Sequence, residues 1–126
     1  MAKGYQSNRE RQEIIAGMGK ALAKRAKFVC EWCEGKEDLR PWENGNNREP
    51  TEETVALLCG NCRGMAEGRK AEDHELRIIR NALWSPIPAV SEGAARVIAQ
   101  SRDSWAREAI EDSMIDERLK EELLRS

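Results

Sequence analysis

What the chain lacks narrows its chemistry before any motif is read. It has a single histidine, His74, in 126 residues. Any mechanism that needs a histidine base together with a second histidine ligand is therefore excluded from one chain. Flanked by Asp73 and Glu75 at the start of a predicted helix, His74 reads as a solvated residue. No apolar run approaches the roughly 18 residues that a bilayer-spanning helix requires. The opening MAKGYQSNRERQE is polar where a secretory signal carries an apolar core. The expectation is a cytoplasmic protein with no membrane partner. Nor does a glycine-rich phosphate loop follow a strand, and no serine or cysteine is paired with a base. Net charge is almost absent too: 21 cations against 23 anions leave −2, too little for a global field that draws in nucleic acid or membranes.

What is present is a metal-ligand pattern. Cys30 and Cys33 form one Cys-x-x-Cys pair, and Cys59 and Cys62 form another. A two-residue gap lets both sulfurs of a pair turn toward one ion, and two such turns complete a tetrahedron of thiolates. In a reducing compartment this duplication fits metal ligands better than disulfides, and a dithiol redox motif needs only one pair. Four cysteine ligands close the coordination sphere, so the cofactor expected is one structural Zn²⁺, with no open position for water or substrate.

The stretches around the cysteines suggest an α+β fold, mostly α. Residues 1–6 look irregular. Ser7 and Glu10 have capping-box spacing, and Ile14, Ile15, Met18, Leu22 and Ala26 predict one amphipathic helix reaching about Lys27. FVCEWCEG then reads as a zinc knuckle, in which Gly35 can supply a positive φ. LRPW at 39–42 and TVALLC at 54–59 have strand character and flank a turn-rich segment containing Asn44-Gly45, which predicts a hairpin. A short helix is expected from about Asn61 to Gly68. Asp73 can cap a helix bearing Leu76, Ile79 and Leu83 that stops at Trp84-Ser85-Pro86. Ser91 can cap another bearing Ala94, Val97 and Ile98, with Pro88 near its start. Asp103 or Ser104, and then Asp116, can cap the last two. Trp84 and Trp105 fit helix packing, whereas Trp32, between two ligands, is either a partly exposed contact for a partner or a cover over the metal. The organisation expected is an N-terminal helix with a zinc-ribbon or treble-clef hairpin over 1–70, and a helical block over 71–126, as one compact unit.

Charge is unevenly spread. Residues 1–29 carry seven cations and two anions, so Arg9, Arg11, Lys20, Lys24, Arg25 and Lys27 could place the helix on a nucleic-acid backbone or a protein partner. Aromatic side chains are not interleaved with these charges, which favours an ordinary solvated face.

Two families share these features. RAKFVCEWCEGKEDLRPW at 25–42 with VALLCGNC at 55–62, followed by ALWSPIPAVSEGAARVIAQ at 82–100 and SWAREAIEDSMID at 104–116, resembles the PhnA-type zinc-ribbon proteins, named after an alkylphosphonate-utilisation operon. The run Trp84, Ser85, Pro88, Ala89 and Val90 is the more specific part. The resemblance implies a zinc-ribbon fold and does not imply a catalytic step. Members often carry a further C-terminal β domain, where this chain has ERLKEELLRS. A basic segment before Cys-x-x-Cys and a hairpin is also similar to treble-clef nucleases of the His-Asn-His type. Those need an Asp-His or His-His pair on the hairpin, and LRPWENGNN offers no histidine. The expected work is therefore binding rather than catalysis, with a nuclease or phosphonate-related hydrolase as the alternative.

Overall fold

The structure, a computed structural model, describes residues 2–45 and 49–125, with side chains from residue 9 onward. Among the described residues it is mostly helical with one two-stranded sheet. Helices α1 (Ala2–Gly17) and α2 (Gly19–Arg25) lead into strands β1 (Arg40–Glu43) and β2 (Val55–Leu58). These are followed by α3 (Gly60–Ala66), α4 (Asp73–Ile78), a 3₁₀ helix (Arg80–Trp84), α5 (Pro88–Ile98), α6 (Ser104–Asp112) and α7 (Glu117–Leu124).

The hairpin is the centre of the architecture. β1 and β2 are antiparallel, with Arg40 opposite Leu58 and Glu43 opposite Val55. All four residues of β2 are buried, because each face of the strand meets a different layer. Val55 and Leu57 pack with Ile15 of α1, Leu22 of α2 and Met18 at the break between them. Ala56 and Leu58 belong to the larger core, which collects Met65, Leu76, Ile79, Leu83, Val90, Ile98, Ile110 and Leu119 from the later helices. A strand covered on both faces reads as an unbroken apolar run, which is what VALL is.

Several expectations are corrected. Helix α1 already begins at Ala2, so residues 2–6 are helical and Ser7 lies inside the helix rather than capping it. Ala2, Lys3, Gln6 and Arg9 are good helix formers, and an interior serine costs only about half a kcal/mol. Met1 lies outside the described residues. The single long helix breaks at Met18, between Gly17 and Gly19, where two residues without side chains weaken continuation. Asn46, Asn47 and Arg48 of the expected turn also lie outside the described residues; beside them Gly45 takes φ +76°.

Further along, α4 is capped by Glu72, not Asp73. The Glu72 and Glu75 side chains make a reciprocal capping box, so the carboxylate one residue earlier takes the role. That helix gives way after Ile78 to the 3₁₀ turn, with Ile79 at the junction and Leu83 within the turn both reaching the core. Helix α5 starts at Pro88 rather than at Ser91. Proline's fixed φ and missing N–H suit the first helical position. Ser91 is buried within the helix, its hydroxyl donating back to the Ile87 carbonyl at 3.3 Å. Asp103 occupies the cap position of α6, and Asp116 caps α7 by accepting from the N–H groups of Arg118 and Leu119.

Candidate metal centre

The two cysteine pairs come from different local devices. Cys30 and Cys33 lie on a turn closed by Cys30 N–H to the Gly35 carbonyl at 2.7 Å and Glu34 N–H to the Cys30 carbonyl at 2.9 Å. Cys59 leaves β2 in extended conformation and becomes the N-cap of α3, which places Cys62 in that helix's first turn. The hairpin thus brings together segments that are 26 residues apart. The four Sγ atoms all lie within 4.8 Å of one another. Cys33 and Cys59 are 3.6 Å apart, and none of the four is in a disulfide. Sulfurs held about 2.3 Å from a central ion form a tetrahedron with edges of roughly 3.8 Å, so the cluster is compatible with a structural zinc site.

Backbone donors surround these sulfurs. Trp32 N–H donates to Cys30 Sγ, Gly35 N–H to Cys33 Sγ, and Cys62 N–H to Cys59 Sγ, each at 3.4 Å. Such bonds orient thiolates and stabilise their charge. Gly35 serves by its smallness rather than by its φ, a correction to the expected turn. A Cβ there would sit 3.2 Å from Cys33 Sγ, while positive φ falls on Glu34 and Asp38.

Electrostatics point the same way. The Cys30 thiol is pulled down to about 5, chiefly by its hydrogen bond with Cys62, and that same bond leads the causes pushing Cys62 upward. Burial pushes Cys33 up to about 11. Four sulfurs in one small volume cannot all ionise alone, so one thiolate forms at its neighbours' expense. A divalent cation removes that conflict by balancing all four.

The site is strapped to the fold by charged groups the sequence did not reveal. Glu31, inside the knuckle and nearly buried, receives Arg25 Nε at 3.0 Å, Arg25 Nη2 at 2.6 Å and the Leu57 N–H at 2.8 Å. Arg25 also donates to the carbonyls of Val55, at 2.9 Å, and Glu52. Arg11 reaches Glu43 on β1 at 2.5 Å. Two of the six expected phosphate contacts, Arg11 and Arg25, are thus engaged within the fold. Of the two readings for Trp32, the exposed contact is excluded by its burial. Trp32 is 3% exposed, stands edge-on to Trp42 at 5.4 Å, and donates its indole N–H to the Val90 carbonyl at 3.0 Å. A ring between two ligands on a tight turn must point inward when a helix covers the turn, and α5 does so. Trp84, by contrast, lies largely at the surface, with Arg80 over its ring at 5.1 Å.

His74 is exposed beside Glu72, as a solvated residue would be. Among the described residues, the four cysteines are the only cluster of three or more metal-ligating side chains. No helix among the described residues is long and apolar enough to cross a membrane. No family model, curated protein or solved structure matches the chain.

Proposed function

We propose that this chain is a zinc-stapled, non-catalytic interaction module in which Cys30, Cys33, Cys59 and Cys62 hold one structural Zn²⁺. The observation that carries the reading is the convergence of four sulfurs from a knuckle and a helix N-terminus. Knuckle, hairpin and helix in that order, with ligands from the first and last, support a treble-clef description. Four thiolates saturate the ion, so its contribution is to folding; structural sites of this kind supply about 10–16 kcal/mol of apparent binding energy. The resemblance to PhnA-type proteins rests on the residues quoted for it, and the module reading does not depend on it.

A hydrolytic alternative needs a second metal and a base. The hairpin residues that would face such a centre are already engaged: Glu43 with Arg11, and Trp42 with Trp32. This favours binding over cleavage. The test is elemental analysis of protein purified under reducing conditions, combined with thermal unfolding. One zinc per chain and a large drop in melting temperature on chelation are expected. Metal-free protein with an unchanged melting curve would overturn the proposal.

A further inference from the structure

Once Arg11 and Arg25 are drawn into the fold, three lysines remain on the same segment. Leu22 of α2 is fully buried against β2. At 100° per residue, Lys20 and Lys24 lie on the opposite side of that helix, and both are exposed, as is Lys27 just beyond its end. Among the described ion pairs none involves these three lysines. Of the two carboxylates in the knuckle, Glu31 is neutralised by Arg25, and among the described ion pairs exposed Glu34 pairs with none of these lysines.

The helix ends in a cap that carries an exposed aromatic residue, Phe28, next to Lys27 in the chain. Lys27 N–H bonds the Lys24 carbonyl at 3.2 Å and Phe28 N–H the Ala23 carbonyl at 2.8 Å, the pattern of a Schellman cap, with Lys27 at φ +58° and Phe28 at φ +62°. An apolar residue at Phe28's position in such a cap ordinarily folds back on the helix. Phe28 instead is 64% exposed. The chain's one phenylalanine directly follows Lys27 and stands exposed at the end of the helix that carries Lys20 and Lys24. The neighbouring cleft beside the knuckle, about 550 Å³ in volume, is lined by Ala26, Val29, Glu31, Glu34, Ile78 and Asn81 among others, and neither the three lysines nor Phe28 line it.

We infer that Lys20, Lys24, Lys27 and Phe28 form a contact surface for single-stranded nucleic acid. The lysines would meet successive phosphates, and the phenyl ring would stack on an unpaired base. This deepens the module reading above and rests on it. Phosphate charge complements an unpaired row of ammonium groups, and an exposed ring beside that row suits unstacked bases, which a duplex does not present. A lipid surface is the less favoured occupant, because one ring on a seven-residue helix is a small apolar face for interfacial insertion.

The test is fluorescence anisotropy of a labelled oligothymidylate titrated with zinc-loaded protein at several salt concentrations. Three phosphate contacts predict a slope of log K against log salt of about −2, and Lys24→Gln flattens it by about 0.7. Phe28→Ala weakens binding roughly tenfold. Lys70→Gln, the same charge change on a distant exposed lysine, leaves affinity unchanged, and unlabelled duplex displaces the probe poorly. No salt-dependent binding, equal affinity for Phe28→Ala, equal displacement by duplex, or binding only to phosphatidylserine vesicles would each overturn the inference. Zinc content is measured on the same samples. Full occupancy with flat anisotropy overturns this surface alone, whereas absent zinc overturns the module.

Discussion

Gly93 shows how much one residue can carry without advertising it. It lies within α5, where a glycine weakens a helix by about 0.5–1 kcal/mol relative to alanine. A Cβ there would stand 2.9 Å from both the Trp32 and Trp42 rings, and neither ring has room to retreat from the knuckle and hairpin they fill. Gly93→Ala is accordingly expected to destabilise the protein by about 1–3 kcal/mol through overpacking, read from the denaturant midpoint, reversing the sign of its helix propensity. The Arg25–Glu31 pair makes a second prediction. Truncating the guanidinium in Arg25→Met strands a nearly buried carboxylate and is expected to cost about 3 kcal/mol. Adding Glu31→Gln to that variant removes the stranded charge and should recover part of the loss in the same assay. The four cysteines were legible because their spacing is itself the chemistry. Arg25 and Gly93 were not, since their partners lie 6 to more than 50 positions away and neither residue type signals a buried role.

At the scale of elements, sequence periodicity located most helices and both strands, but it misplaced boundaries wherever two residues competed for one role. Glu72 displaced Asp73 as a cap, and Pro88 displaced Ser91 as a helix start. In each case the winner stands one to three residues upstream, where it can serve the first unpaired N–H groups or, for proline, dispense with one. The break between α1 and α2 is a different matter, since its glycines have room: a Cβ on Gly19 meets nothing within 4 Å. Gly19→Ala is expected to stabilise the protein by about 0.5–1 kcal/mol, chiefly by restricting the unfolded chain, seen as a raised melting temperature. The α4 cap responds to acid. Glu75 is held down to about 2 by Arg69, then by the Glu72 N–H. A depressed carboxyl contributes stability that is complete above its ordinary value of 4.5 and is lost as pH falls toward 2. A carboxyl NMR titration should place the Glu75 midpoint near that lower value, and Arg69→Ala should raise it.

The whole molecule is two cores on either side of one hairpin, with the sulfur cluster at the hairpin's open end, beside the Arg40–Leu58 pair and opposite the connecting loop. Sequence reading anticipated the hairpin between the knuckles. The apolar run VALL is what a strand covered on both faces looks like, but which elements cover it, α2 on one side and α5 on the other, is a long-range outcome that the run itself does not specify. Placing Trp32 between two ligands and beneath α5 has a practical consequence. Its indole is held by the Val90 carbonyl and shielded from water only while the knuckle keeps its shape. Stripping the metal is expected to wet that ring and move the protein's ultraviolet emission to longer wavelength, while Trp32→Phe mutes the change. With the proposed zinc in place, the fold would carry its own optical gauge of occupancy, readable without a label in any solution where the protein is kept.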